Sequence, residues 1–227
     1  MKRRKAVFLS QLFASAFLLL TATSAQAQLA PDSARLVLKA GVLRLLSRTY
    51  QLEAEYRLAR PVSLTLAPRL LAGTVPSGIS PAANEAGDKV RGYGLSLGPR
   101  FYLPGADTEG AQLAGLYLGL KVDYQQLRLS YQREAWAEDP GPDGLLYYTF
   151  RPRELTESIR RVGGVATIGY QCQVFSPRFR IDAAASLNRL SSTSSAGNDS
   201  RYLTSANDYG YSGSFFTLDL NLGFVLK

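Results

Sequence analysis

The sequence predicts an all-β fold, an eight-stranded antiparallel up-and-down transmembrane β-barrel. Three observations lead there. Apolar residues recur with period two, the spacing that sends alternate side chains to opposite faces of a strand. Short and long connections alternate along the chain. Beyond residue 27 no run reaches the ~18 apolar residues of a membrane helix, although 46% of the chain is hydrophobic and 11% aromatic. Any membrane span must therefore be made of strands.

The first 27 residues stand apart. Lys2, Arg3, Arg4 and Lys5 precede an apolar stretch over residues 6–20, and Ala25-Gln26-Ala27 is an A-x-A cleavage pattern. This is the make-up of a secretory signal peptide, with cleavage between Ala27 and Gln28. No cysteine lies near the junction, which excludes a lipoprotein signal. Residues 28–227 then form one domain. Removing four basic residues and no acidic one lowers the formal charge from +8 to +4, and with it the main support for a nucleic-acid partner. Cys172 is the only cysteine and histidine is absent. That removes an internal disulfide, the usual general base and the commonest zinc ligand together. No catalytic residue, cofactor or metal site is expected.

Eight segments carry the alternation: about 34–44, 49–59, 61–73, 90–103, 115–131, 160–175, 178–190 and 214–226. Each has the ~9–11 residues a tilted strand needs to cross a bilayer. In the first, Leu36, Leu38, Ala40 and Val42 oppose Arg35, Lys39 and Gly41, with Val37 and Leu43 breaking the pattern. In the second, Tyr50, Leu52, Ala54, Tyr56 and Leu58 oppose Gln51, Glu53, Glu55 and Arg57. Val62, Leu64 and Leu66 oppose Ser63, Thr65 and Ala67 in the third, and the fourth contains GYGLSLGPRFYL. Leu116, Leu118, Leu120, Val122 and Tyr124 mark the fifth; Ile168, Tyr170, Cys172 and Val174 the sixth; Phe179, Ile181, Ala183, Ala185 and Leu187 the seventh. The last is the cleanest: Phe216, Leu218, Leu220, Leu222, Phe224 and Leu226 against Thr217, Asp219, Asn221 and Gly223.

Arg60-Pro61 and Ser176-Pro177 are minimal turns, and residues 104–114 form a middling one. On the other side residues 45–48 are short, but long loops are expected near 74–89, 132–159 and 191–213. Short turns at one end and long loops at the other are the outer-membrane pattern, with both termini periplasmic. Within 132–159, LRLSYQREAW and GLLYYTFR extend strands five and six as a protruding hairpin; two further strands, making ten, are the alternative.

The apolar face is Leu-rich throughout, and its aromatics (Tyr50, Tyr56, Tyr93, Phe101, Tyr124, Phe179, Phe216, Phe224) gather near segment ends like interfacial girdles. The opposite face mixes small residues with charges of both signs. Closing eight strands leaves an interior that side chains fill. The expected lumen set is Arg35, Lys39, Glu53, Glu55, Arg57, Arg69, Arg100, Lys121, Asp123, Arg180, Asp182 and Asp219. Seven are basic and five acidic, so a mutually neutralising hydrogen-bonded network is expected, which argues against an open pore. Pro68 and Pro99 cannot donate to a ladder; bulges there are expected to accommodate them and to shift the face of Arg69 and Arg100.

Gly94-Leu95-Ser96-Leu97-Gly98 spells G-x-S-x-G, the serine-hydrolase elbow, which needs a sharp strand-to-helix turn. Nothing helical follows Ser96. The stretch instead parallels Ser63-Leu64-Thr65-Leu66-Ala67, so it reads as a stripe of small lumen residues making room for long charges from neighbouring strands.

The signal, the eight amphipathic strands, the alternating connections and the GPRFYL and IGYQCQV strands resemble small outer-membrane β-barrel proteins of the OmpA/OmpX type. The resemblance is architectural and covers residues 34–227. It implies an outer-membrane location in a Gram-negative cell envelope, outer-membrane lipid and the barrel-assembly machinery as partners, and a monomer. Members often end in an aromatic residue; this chain ends Phe224-Val225-Leu226-Lys227. The family also includes lipid-modifying enzymes, whose catalytic histidine is absent here. The function expected is non-enzymatic, structural or adhesive, with Tyr202, Tyr209 and Tyr211 amid Ser, Asn and Gly offering a binding-loop composition. The alternatives are a soluble calycin-like barrel with its apolar face inward around an apolar ligand, and a lipid hydrolase or acyltransferase using Ser96. Cys172 falls on the lipid face as a small apolar residue, and nothing is assigned to the Asn198-Asp199-Ser200 sequon.

Overall fold

A computed structural model describes residues 36–59, 61–74, 88–103, 113–176, 178–197, 200, 202–203 and 208–226. The segment read as a signal peptide, the junction between Ala27 and Gln28, Arg35, Asn198 and most of the 74–89 loop lie outside these residues. The strands are β1 (Leu36–Gly41), β2 (Thr49–Ala59), β3 (Val62–Thr74), β4 (Lys89–Tyr102), β5 (Gly115–Pro140), β6 (Leu146–Gln173), β7 (Phe179–Ser194) and β8 (Gly213–Leu226). Each pairs antiparallel with the next, and β1 pairs with β8 from Leu36↔Leu226 to Gly41↔Asn221, closing the ring. The strand count is therefore eight, not ten. Between β1 and β2, a 3-10 stretch (Leu43–Ser47) ends on Arg48 in the left-handed region, φ 55.

The period-two pattern is resolved inside out. Along β2, Gln51, Glu53 and Glu55 are buried while Tyr50, Leu52 and Tyr56 are exposed. Leu70, Leu97, Leu120, Ile168, Leu218 and Phe224 continue the exposed apolar belt around the ring. This corrects the calycin-like alternative, which requires the apolar face to point inward.

Pro68 and Pro99 do not bulge. The β3–β4 register runs unbroken from Val62↔Phe101 to Thr74↔Lys89 through both prolines. The rungs lapse on the other side of each. Pairing of β2 with β3 skips from Gln51↔Arg69 to Ala54↔Leu66, and that of β4 with β5 from Leu97↔Val122 to Arg100↔Gly119, in constant register. A missing N–H removes a rung without inserting a residue, so Arg69 and Arg100 keep their inward face. The register shift in this region lies between Arg57 and Ala59 instead.

The 132–159 stretch is the protruding hairpin expected from LRLSYQREAW and GLLYYTFR, a continuous ladder and not an irregular long loop. Strands β5 and β6 pair continuously out to Pro140↔Leu146. Trp136 packs against Phe150 with ring centroids 5.2 Å apart and planes tilted by 46°. Beside them Asp139 accepts hydrogen bonds from Thr149, from Arg153 at 2.6 Å and from Arg151 at 2.6 Å. The Thr149 hydroxyl first, and Arg153 next, hold its carboxyl down at about 2. A carboxyl lowered on folding stabilises the ribbon above its ordinary value near ~3.9 and loses that contribution as pH falls toward 2. Fluorescence of Trp136, the single tryptophan, is expected to stay flat from pH 7 to about 4 and to change only below that. In Arg153→Gln the change is expected at higher pH; an identical titration in the variant refutes the pairing.

Candidate functional site

The lumen is built from the inward parity of all eight strands, and strand tilt decides which side chains meet. At its lower end three carboxylates and three cations form one cluster. Lys39 on β1 lies 2.6 Å from Glu55 and 2.7 Å from Asp182. Arg100 on β4 reaches Glu53 at 2.6 Å, Asp182 at 2.9 Å and Glu55 at 3.1 Å. Lys121 on β5 pairs with Glu53 at 2.8 Å. Neutral donors complete the carboxylate shells: Tyr117 to Asp182 at 2.6 Å, Tyr102 to Glu55 at 2.7 Å and Ser63 to Glu55 at 2.5 Å. The Arg100 guanidinium also lies 4.4 Å from the centre of the Tyr117 ring. Burial of charges is costly unless they are paired and hydrogen-bonded; here every ion of the cluster is both.

Above this sits a smaller tier. Arg69 pairs with Asp123 and donates to Ser96. Ser96 donates to Asp123 at 2.6 Å, and Gln125 does so at 2.8 Å. Arg44, from the 3-10 stretch, pairs with Asp219 at 2.8 Å. Ser96 thus lies in mid-strand with its hydroxyl committed to a carboxylate, far from the geometry of a nucleophile elbow.

The glycines around it do a different job from the one expected. A Cβ on Gly98 would meet the Leu120 carbonyl oxygen at 1.9 Å, and one on Gly92 the Gln126 carbonyl oxygen at 2.4 Å. They let β4 approach the β5 backbone closely, rather than clearing space for side chains across the lumen.

The outer end is capped by apolar residues that face inward. Leu71, Val90, Leu127, Leu129, Tyr131 and Ile159 pack with Tyr202 and Tyr209 from the β7–β8 connection. Tyr202 donates to Asp88, tying that connection to the foot of β4. Buried Glu157 accepts from Ser194 at 2.6 Å and from Ser200.

Of the residues expected in the lumen, Lys39, Glu53, Glu55, Arg69, Arg100, Asp123, Arg180 and Asp182 are buried there, and the Lys121 and Asp219 side chains are largely so. Arg57 is half-buried at the lower rim and Arg180 donates to the Phe179 carbonyl at 3.3 Å. Tyr102, Tyr117 and Gln171, the last accepting a hydrogen bond from Lys39, belong to the lower cluster without having been expected there; their inward parity was the available signal. Arg44 has no strand parity to read, because it lies on the 3-10 stretch.

No family model matches the sequence, and no curated protein matches it. Among solved structures the chain is similar to Acinetobacter baumannii CarO, at TM-score 0.44 and 10% identity, over 86% of this chain and 98% of that one. It is similar to Acinetobacter baumannii CarO2 at TM-score 0.40 and 14% identity, over 86% and 100%. It is also similar to the N-terminal β-barrel domain of Pseudomonas aeruginosa OprF, at TM-score 0.34 and 14% identity, over 86% and 98%. The eight-stranded ring itself is given by the register of this chain's own strands.

Proposed function

We propose that this chain is an integral outer-membrane β-barrel protein, exported by its signal peptide, monomeric and without enzymatic activity. Outer-membrane lipid surrounds the belt, and the barrel-assembly machinery inserts it. The ionic clusters fill the lower lumen, and the β5–β6 ribbon and the loops serve a structural or interaction role outside the cell. The observation that carries this is the reversal of polarity. Leu52, Leu70, Leu120 and Leu218 are 60–72% exposed, while Glu55 and Asp182 are fully buried. In water that arrangement forfeits the hydrophobic effect and still incurs charge burial; in hydrocarbon it is the stable one, because the closed ring leaves no strand edge unpaired. The commitment of Ser96 to Asp123 and the absence of histidine support the non-enzymatic reading.

Heat-modifiable migration on SDS gels, with retention in the outer-membrane fraction after carbonate washing, is the expected result. Recovery in the wash as a detergent-free monomer overturns it. A charge at mid-height of the belt sharpens the test. Leu120→Arg is expected to destabilise the barrel by roughly 2–4 kcal/mol, read from the urea midpoint in lipid vesicles. Tyr148→Arg, on the ribbon beyond the belt, is expected to leave that midpoint in place.

A further inference from the structure

Just above the apolar belt, on the outer surface of β4, β5 and β6, stands a group of exposed cations: Lys89, Arg91, Arg128 and Arg160. Parity puts them on the same face as the belt. Arg91 lies two residues from Tyr93 along β4, and Arg160 two from Val162 along β6, a step of ~7 Å. Register makes them one patch. Arg91 and Arg128 are directly opposite each other across β4 and β5, and Lys89 is opposite Ser130, the next outward position. Arg160 is opposite Gln126, to whose side-chain oxygen it donates at 3.4 Å; the Tyr124 hydroxyl donates to the same oxygen at 3.3 Å. The remaining cross-strand neighbours of the arginines are neutral: Ala72 beside Arg91, Ser158 beside Arg128 and Thr193 beside Arg160. None of the four cations forms an ion pair with a described residue. Like charges directly opposite in a sheet are destabilising, so the Arg91–Arg128 pair calls for an anion between its two heads.

We propose that Lys89, Arg91, Arg128 and Arg160 hold the phosphate of an outer-leaflet lipid headgroup whose acyl chains lie on the belt below. The inference rests on the outer-membrane reading and adds to it one specific lipid site. The fork of a guanidinium matches two phosphate oxygens at once. Long basic side chains at a membrane boundary lay their stems on apolar surface and carry their heads to the polar interface. One strand step beyond the tyrosines of an interfacial girdle is headgroup depth. Exposed Tyr93, Leu95 and Val162 lie directly beneath the cations. That apolar floor favours an anion that carries hydrocarbon chains over free phosphate.

Native mass spectrometry of the folded barrel in neutral detergent tests this, with three separate probes: phosphatidic acid, phosphatidylcholine of the same chains, and inorganic phosphate. Phosphatidic acid is expected to be retained with ~10-fold or greater preference over phosphatidylcholine, and inorganic phosphate not to be retained. Arg91→Gln and Arg128→Gln are each expected to weaken phosphatidic acid by ~5-fold, the scale of one basic residue near an anionic surface. Arg133→Gln removes the same charge from an exposed site on the other face of β5, beyond the ring, and is expected to leave retention unchanged. Heat-modifiable migration of each variant reports folding, and the contrast among the three probes decides even if a variant does not fold. Equal retention of the two lipids, retention of inorganic phosphate, or an equal loss in Arg133→Gln overturns the proposal while the barrel stays in the membrane fraction. Recovery of the barrel in the carbonate wash overturns the outer-membrane reading, and this inference with it.

Discussion

Arg100→Met is expected to destabilise the barrel by about 3–5 kcal/mol, the penalty for breaking a buried ionic group by removing one partner. Arg100 is the hub of the lower cluster, touching Glu53, Glu55 and Asp182 at once. Without it three buried carboxylates face only Lys39 and Lys121. The loss is to be read from the urea midpoint of the refolded barrel. Arg100→Lys is expected to recover part of it, because one ammonium cannot match the fork that serves three acceptors. Adding Asp182→Asn to Arg100→Met lowers the excess negative charge and is expected to recover part as well. A wild-type midpoint in Arg100→Met refutes the cluster as a stabilising unit.

Gly98→Val is expected to be nearly as severe, at roughly 3 kcal/mol, the upper end of overpacking penalties. The atoms that its Cβ would strike, the Leu120 carbonyl oxygen at 1.9 Å and the Lys121 Cα at 2.7 Å, are both backbone. They can yield only by parting β4 from β5, which opens the ring. Gly164 provides the contrast: a Cβ there meets nothing within 4 Å, and Gly164→Ala is expected to leave the midpoint within ~0.5 kcal/mol. If heat-modifiable migration and midpoint are the same in Gly98→Val as in Gly164→Ala, the close approach is not what Gly98 is for.

The ring was legible because period two is insensitive to anything but strand geometry. Every one of the eight alternating segments overlaps one strand, and Lys39, Glu53, Asp123 and Asp182 face inward as their parity requires. Which charges meet was not legible. Lys39 touches Asp182 only because tilt and closure carry β1 across the lumen from β7, and no sequence spacing encodes that. The far ends of β5 and β6 were ambiguous because polar residues and Pro152, opposite Glu134, interrupt the alternation. The outer cap was hidden for a related reason: Leu71, Leu129 and Ile159 are apolar yet inward, so they look like flaws in the pattern. Prolines misled in the opposite direction, since a skipped rung leaves parity intact where a bulge would have reversed it.

The span of the lower cluster along the chain bears on how the barrel is made. Lys39 and Asp182 are separated by 143 residues, and their meeting requires β1 to have reached β8. Contacts so remote repay their loop-closure entropy last. An incompletely closed sheet therefore carries the desolvation burden of its ions without their mutual attraction, and bears two unpaired edges. The cluster consequently behaves as a latch. It contributes little to any intermediate and most of its energy in the final step, so the ring shuts in one cooperative event and a partly zipped sheet gains almost nothing from its ions.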